Sequence, residues 1–322
     1  MKTGIFFNMF RNGDLFIVRE FVREIIEKCP EYNWHYAHGN HPDSLKDLPC
    51  KYISIPHHPD VCNSTGCETH EVSHLLPRHK MLLPQETIRR LSPESNLYIN
   101  TWTGCYHGHF FPVGHYANMH ELVRMWQHIA QKLSPILNKS IFFDKPIVDY
   151  FPVVNESMFD VSVSENFAKQ LHNEGYKHCI LWANGDSLSN QSKLQSLDHT
   201  LVMMAKEFPH IAMIATAPFE RTMKNLYFTQ EIFGKKFDLP QISVLSAYCN
   251  IIVGKNSGPY TFANTKKNVL DSNKTFISFS NAARDNLLFD IHEGCHFYHS
   301  DAVDQDTATN FVRDIINSKC NV

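Results

Sequence analysis

Apolar positions along the chain recur with two periods. Gly4-Ile5-Phe6-Phe7-Asn8-Met9 is a short apolar run and predicts a buried strand; Arg11-Asn12-Gly13-Asp14 follows as a polar turn. Leu15, Ile17, Val18, Phe21, Val22, Ile25 and Ile26 then recur at helical spacing up to Cys29-Pro30. Further strands are predicted over 33–37, 52–55 and 96–102. A helix from Met119 places Leu122, Val123, Trp126, Ile129, Ala130 and Leu133 on one face and should stop near Ser134-Pro135. The second half alternates more regularly: helix 165–172, strand 179–183, helix 194–208, strand 211–217, short helix 239–248, strand 251–253, strand 275–280 and a closing helix over 304–317. That closing helix carries Ala308, Phe311, Val312, Ile315 and Ile316 on one side and can cross back to the first half. Strands separated by helices or long connections predict parallel sheets.

The length of 322 residues is about twice that of a usual single domain. Two domains are therefore expected, 1–150 and 151–322, with the proline-interrupted stretch 138–160 as their connection. The fold class that follows is α/β, with two Rossmann-like domains facing a central cleft, where ligands usually bind. Lys plus Arg is 30 against Asp plus Glu at 33, which argues against a nucleic-acid binder. Charged residues make up only 20%, which argues against a disordered chain. No apolar run approaches the ~20 residues of a membrane span, and the apolar start is broken by Arg11 and Asp14. A cytoplasmic protein is expected, with at most peripheral membrane contact. Nine cysteines, an odd and scattered set, read as free thiols.

Four loops at strand ends hold the candidate chemistry. In Val253 to Ala263, VGKNSGPYTFA, a buried strand delivers a turn and Pro259 opens a helix at its preferred first position. Ser257 is placed as the N-cap, and Lys255 and Asn256 lie in the turn. Backbone N–H groups at such a helix start suit a phosphate or diphosphate, although an ordinary capped turn gives the same pattern. At Asn12-Gly13-Asp14 the aspartate can cap the following helix, or serve as a general base toward an acceptor hydroxyl. Asn184-Gly185-Asp186, with Ser189, Ser192 and Lys193, is a polar loop able to hold part of a nucleotide or simply to be solvated. Thr216 and Glu220 flank the next strand end, where a base or ribose would be contacted.

Gly13-Asp14 before an apolar helix, together with a late Asn-Ser-Gly-Pro opening a second helix, resembles the lipopolysaccharide heptosyltransferase family. That resemblance implies the two-Rossmann-domain glycosyltransferase B fold, with an acceptor-side first domain and a donor-side second domain. By it, Asp14 would be the catalytic base, Lys193 would bind the donor phosphates, and Ser257-Gly258 would hold the diphosphate by backbone amides. It implies an inverting transfer that needs no metal cofactor, with a nucleotide-diphosphate sugar as co-substrate and a glycan or glycolipid as acceptor. The chain departs from the family in having Asn256 where the family has Asp, and Thr261 where it often has His.

The His/Cys-rich stretch matches nothing in that family. His57, His58, Cys62, Cys67, His70, His74 and His79 lie close together. Cys62, Cys67, His70 and His74 offer zinc-type ligands, without the paired Cys-x2-Cys spacing of strong sites. A solvated loop and an acceptor-binding loop are the other readings. His107 and His109, after the strand at 96–102, are acceptor-side candidates. Two alternatives to a transferase therefore stand: a zinc-dependent enzyme built on 57–79, and a non-catalytic sugar- or nucleotide-binding protein.

Overall fold

The computed structural model describes residues 2–8, 11–55, 97–101, 118–185, 192–220, 223–234 and 238–320. The chain divides into two compact units, Met1–Val153 and Val154–Val322. Among the described residues no helix is long and apolar enough to cross a membrane.

The first unit contains β1 (Lys2–Asn8), α1 (Asn12–Ile17), α2 (Arg19–Lys28), β2 (Tyr32–His38), β3 (Lys51–Ser54), β4 (Leu97–Asn100) and α3 (Met119–Leu137). Its sheet has the order β3-β2-β1-β4 and every pair is parallel. The central strand β1 is buried from Ile5 to Asn8, which is why it reads as an unbroken apolar run. Gly4 is required by close approach: a Cβ there would run into the Trp34 ring on the neighbouring strand.

The apolar stripe over 15–26 forms two helices rather than one. They divide at Val18, and Arg19, first in the second helix, pairs its guanidinium with Asp47. Neither side chain reaches solvent, and burial pulls the Arg19 pKa down while Asp47 pulls it up. A stripe of apolar positions carries no trace of an ion pair made with a distant turn. Helix α3 also runs past Pro135, which the sequence reading took as its stop. At the last turn proline costs few hydrogen bonds. The Ser134 hydroxyl donates to the Ala130 carbonyl at 2.8 Å, and the left-handed Asn138 (φ 52°) ends the helix. Phe21 stacks between Trp126 (centroids 5.2 Å) and Tyr150 (4.6 Å), locking α2, α3 and the turn at Ile147–Tyr150 together.

The second unit contains α4 (Ser162–Asn173), β5 (His178–Ala183), α5 (Asp198–Glu207), β6 (Ile211–Ala215), β7 (Leu226–Phe228), α6 (Thr229–Phe233), α7 (Leu239–Ser246), β8 (Ile251–Lys255), α8 (Gly258–Ala263), α9 (Lys266–Val269), β9 (Thr275–Phe279), β10 (His296–Ser300) and α10 (Gln305–Cys320). The sheet order is β10-β9-β8-β5-β6-β7, again parallel throughout. The three-residue β7 and the half-exposed β10 have no apolar run to announce them. Helix α5 starts at Asp198 rather than at 194. The preceding carbonyls are taken by side chains instead: Lys255 Nζ donates to Gln195 O (2.8 Å) and Gln305 Nε2 to Ser196 O (2.7 Å). The closing helix α10 does not need another domain to cover it. Ala308, Val312, Ile315 and Ile316 belong to the core of their own unit, with Trp182, Leu201 and Val253.

At the amino edge of this sheet Lys274 is buried, and its ammonium donates to the carbonyls of Ser246 (3.1 Å), Ala247 (3.0 Å) and Cys249, closing the end of α7. Cys179 and Cys249 lie beside it as free thiols; the described cysteines are all unbridged.

Gly254 lies in the buried strand β8. A Cβ there would stand 2.7 Å from the Tyr260 ring and 2.8 Å from Ala183 Cβ. Gly254→Ala is expected to destabilise the protein by about 1–3 kcal/mol, the usual range for overpacking, read as a lower urea midpoint at unchanged slope.

Candidate functional site

Parallel strands bring their carboxyl ends, and the loops that follow them, to one edge of a sheet. At that edge of the first unit Asp14 is half-buried in the first turn of α1. It does not cap that helix. Arg11 holds the N-cap position without a side-chain bond, and Asn12, Gly13 and Asp14 are the first three helical residues. An anionic carboxylate is favoured there by the helix dipole. The Asn12 carbonyl oxygen accepts from the Ser44 hydroxyl at 2.9 Å, which ties the loop to the turn before β3.

Beneath Asp14 lies a polar knot that the sequence reading missed. The Tyr36 hydroxyl donates to Thr101 Oγ1 (2.5 Å), Asn8 Nδ2 donates to the same oxygen (3.3 Å), and Thr101 Oγ1 donates to the Phe7 carbonyl (3.3 Å). All three side chains are buried. Burial first, and the Asp14 charge among the smaller causes, push the Tyr36 phenol well above its ordinary pKa. It therefore stays protonated and donates. The available signal was Asn8, a carboxamide at the end of the apolar, buried run Gly4–Phe7.

At the carboxyl edge of the second unit, Asn184 is saturated. Its amide nitrogen donates to Asp198 Oδ1 (2.7 Å) and to the Ala217 carbonyl (2.9 Å), and its carbonyl oxygen accepts from the Ala217 N–H (2.9 Å). It ties the end of β5 to the end of β6 and to the start of α5. Lys255 is likewise engaged. It is buried, with its ammonium on the Gln195 carbonyl, and so pins the loop before α5 onto β8. Asn256 donates to the Asp285 carbonyl at 2.8 Å. Lys193 and Glu220 are exposed.

Ser257 has the extended N-cap backbone (φ −130°, ψ 169°), but its hydroxyl makes no capping bond. That buried hydroxyl has no hydrogen-bond partner among the described residues. Gly258 is the first helical residue and Pro259 the second, a correction of one position to the expected proline start. The same edge gathers Thr216, whose backbone N–H donates to the Trp182 carbonyl (2.9 Å), and Thr229, whose hydroxyl lies 3.5 Å from the Thr216 carbonyl. Asp238, just before α7, is buried there too. Desolvation raises its carboxyl pKa against the opposing bond from Thr229. Nothing in the spacing around Asp238 marked it, because its neighbours come from other loops.

His107 and His109, and Cys62, Cys67, His70 and His74, lie outside the described residues. Among the described residues no group of three metal-ligating side chains occurs. The arrangement that remains is a half-buried carboxylate on one unit and, on the other, an edge of saturated supporting groups around a few unsatisfied polar atoms. Asn184→Ala would orphan the Ala217 amide and loosen that edge. A loss of about 1–3 kcal/mol is expected, measured by chemical denaturation.

The chain matches no protein-family profile and no curated protein. Its fold is nevertheless that of solved structures. It superposes on E. coli ADP-heptose LPS heptosyltransferase II with a TM-score of 0.54, at 10% identity, covering 99% of this chain and 99% of that one. It superposes on a family 9 glycosyl transferase from Veillonella parvula with a TM-score of 0.51, at 10% identity, covering 97% of this chain and 91% of that one. At such identity the likeness is one of fold, and the fold is the glycosyltransferase B type that the sequence resemblance implied.

Proposed function

We propose that this chain is a glycosyltransferase that moves a sugar from a nucleoside-diphosphate donor to a hydroxyl of a glycan or glycolipid, with inversion at the anomeric carbon. The observation that carries the reading is the turn at the end of β8. There Asn256-Ser257-Gly258 opens a helix at the carboxyl edge of a parallel sheet, with the Ser257 hydroxyl buried and unsatisfied among the described residues. The fold shared with a family 9 glycosyl transferase and a heptosyltransferase supports the same class, although fold by itself does not assign chemistry.

In this reading Asp14 takes the proton of the acceptor hydroxyl as that oxygen attacks the anomeric carbon. The bond from that carbon to the donor's diphosphate breaks, and the diphosphate leaves with the electron pair. The developing charge is met by the backbone N–H groups of Gly258 and Tyr260, held by the helix start, by the Ser257 hydroxyl and by the exposed Lys193. Pro259 brings no N–H of its own, but its fixed φ suits the helix start. Thr216 and Glu220 belong to the nucleoside side of the same edge. Asn184, Lys255 and Asn256 act by holding the loops rather than by touching the phosphates, since their polar groups are already bonded within the unit. The acceptor side falls to the first unit, with His107 and His109 as its candidates.

The test is a thermal-shift panel of nucleoside diphosphates and their sugars, with and without chelator, followed by turnover with the best ligand. A ligand that binds only the folded state raises the melting temperature by mass action. One nucleotide class is expected to shift the protein, and chelator should not change the shift. Asp14→Ala is expected to keep the wild-type shift and to lose turnover by 10²-fold or more, the scale of a positioned general base. A wild-type rate in that variant would remove Asp14 as the base. Binding without turnover in the wild type would favour the sugar- or nucleotide-binding protein instead.

A further inference from the structure

Buried polar atoms without a hydrogen-bond partner among the described residues gather at the carboxyl edge of the second unit, among them Thr216 Oγ1, Asp238 Oδ2, Gln241 Oε1, Ser257 Oγ and, beside Asn256, Asp285 Oδ1. Contacts through Thr229 and Leu239 link Thr216, Asp238 and the Ser257 turn. The Thr229 hydroxyl sits between the Thr216 carbonyl and the Asp238 carboxylate. Gln241 follows Asp238 by three residues, one turn on along α7. Leu239, next to Asp238, reaches over the phosphate-type turn: a side chain added at Gly258 would meet its two methyls at 3.8 and 3.9 Å. Asp238 is 8% exposed and Gln241 7%.

A buried carboxylate with one oxygen unsatisfied is costly, and native proteins seldom keep one without a use. Asp238 does not cap its helix with a side-chain bond either. An ionised carboxylate can only accept hydrogen bonds, and so can the Gln241 carbonyl oxygen. A group that satisfies both oxygens therefore has to donate from two positions.

We propose that Asp238, with Gln241 beside it, binds a pair of adjacent hydrogen-bond donors on the nucleoside part of the donor substrate. This rests on the nucleotide reading of the Ser257 turn and names the residue that selects the nucleoside. Two parts of a nucleotide offer such a pair: the ribose cis-diol, and the N1–H and N2–H edge of guanine. An edge that alternates donors with acceptor carbonyls, such as that of uracil, would set an oxygen against the carboxylate.

The experiment is calorimetric titration of the full chain with ADP, GDP, IDP, UDP and CDP and with the 2′-deoxy and 3′-deoxy forms of the tightest of them. Wild type and Asp238→Asn are compared. Binding to Asp238→Asn is expected to weaken at least tenfold. In the wild type, one ligand change should reproduce that loss: removal of a ribose hydroxyl if the diol is read, or guanine to hypoxanthine if the base edge is read. The ligand lacking the pair should then bind wild type and variant alike. Asp238→Asn removes a buried charge, so the ligand-free variant is expected to melt no lower than wild type, which separates lost binding from lost folding. Wild-type affinities within twofold across all bases and deoxy sugars would overturn the proposal without needing the variant. So would a variant that binds as the wild type does, or one weakened equally toward ligands with and without the donor pair. In each of these outcomes the nucleotide reading itself survives. Failure of every nucleoside diphosphate to bind the wild type would instead overturn that reading, and this proposal with it.

Discussion

Both sheets are built only from parallel pairs, and that constraint governs the rest of the molecule. A parallel ladder requires the chain to return across the sheet between strands, so each strand's end opens into a new excursion on the same edge. In the second unit this brings the chain after β5, β6, β8 and β9 together at one edge, although the segments are spread over about a hundred residues. In the first unit it brings Asn8, Tyr36 and Thr101 close enough to share hydrogens. Polar chemistry concentrates there because strand interiors such as Ile5–Asn8 and Ile251–Lys255 are covered on both faces.

Such an edge needs its own internal scaffolding. Loops that follow parallel strands expose backbone amides and carbonyls that no ladder satisfies, and side chains take over the task. Asn184 closes two such bonds on Ala217, and Lys255 and Gln305 take the two carbonyls that delay the start of α5. In the first unit the buried pair of Arg19 and Asp47 ties the start of α2 to the turn before β3. Once these groups are set aside, the buried unsatisfied atoms among the described residues of that edge include those of Ser257, Thr216, Gln241, Asp238 and Asp285.

The legible parts of the sequence were those where local pattern and final environment agree. The run Gly4–Asn8, the stripe after Asp14 and the strand–turn–helix at Val253–Ala263 each carry their fold within a dozen residues. What stayed hidden was settled by partners far away in sequence. The split at Val18 accompanies an ion pair with Asp47, the delayed start of α5 reflects bonds from Lys255 and Gln305, and β10 is added at a half-exposed edge. Lys255 shows the limit most clearly. A lysine in a glycine-containing turn resembles a phosphate ligand, yet it closes a wholly buried strand and its ammonium is turned onto the protein's own backbone. Asp238 was invisible for the opposite reason: it looks like a routine residue ahead of a helix until Thr229, from the helix after β7, is brought against it.

Two buried lysines stand at opposite ends of this sheet, Lys255 on the loop before α5 and Lys274 on the last carbonyls of α7. Burial pulls the Lys274 ammonium below its ordinary pKa, and an opening that admits reagent removes that burial. In the closed fold both amines are screened from an acylating reagent, while the exposed lysines around them are not. Their acylation therefore keeps time with the opening of each end of the sheet. The chain thus carries, without any added label, two clocks that record separately how often the carboxyl edge and the amino edge of this sheet come apart.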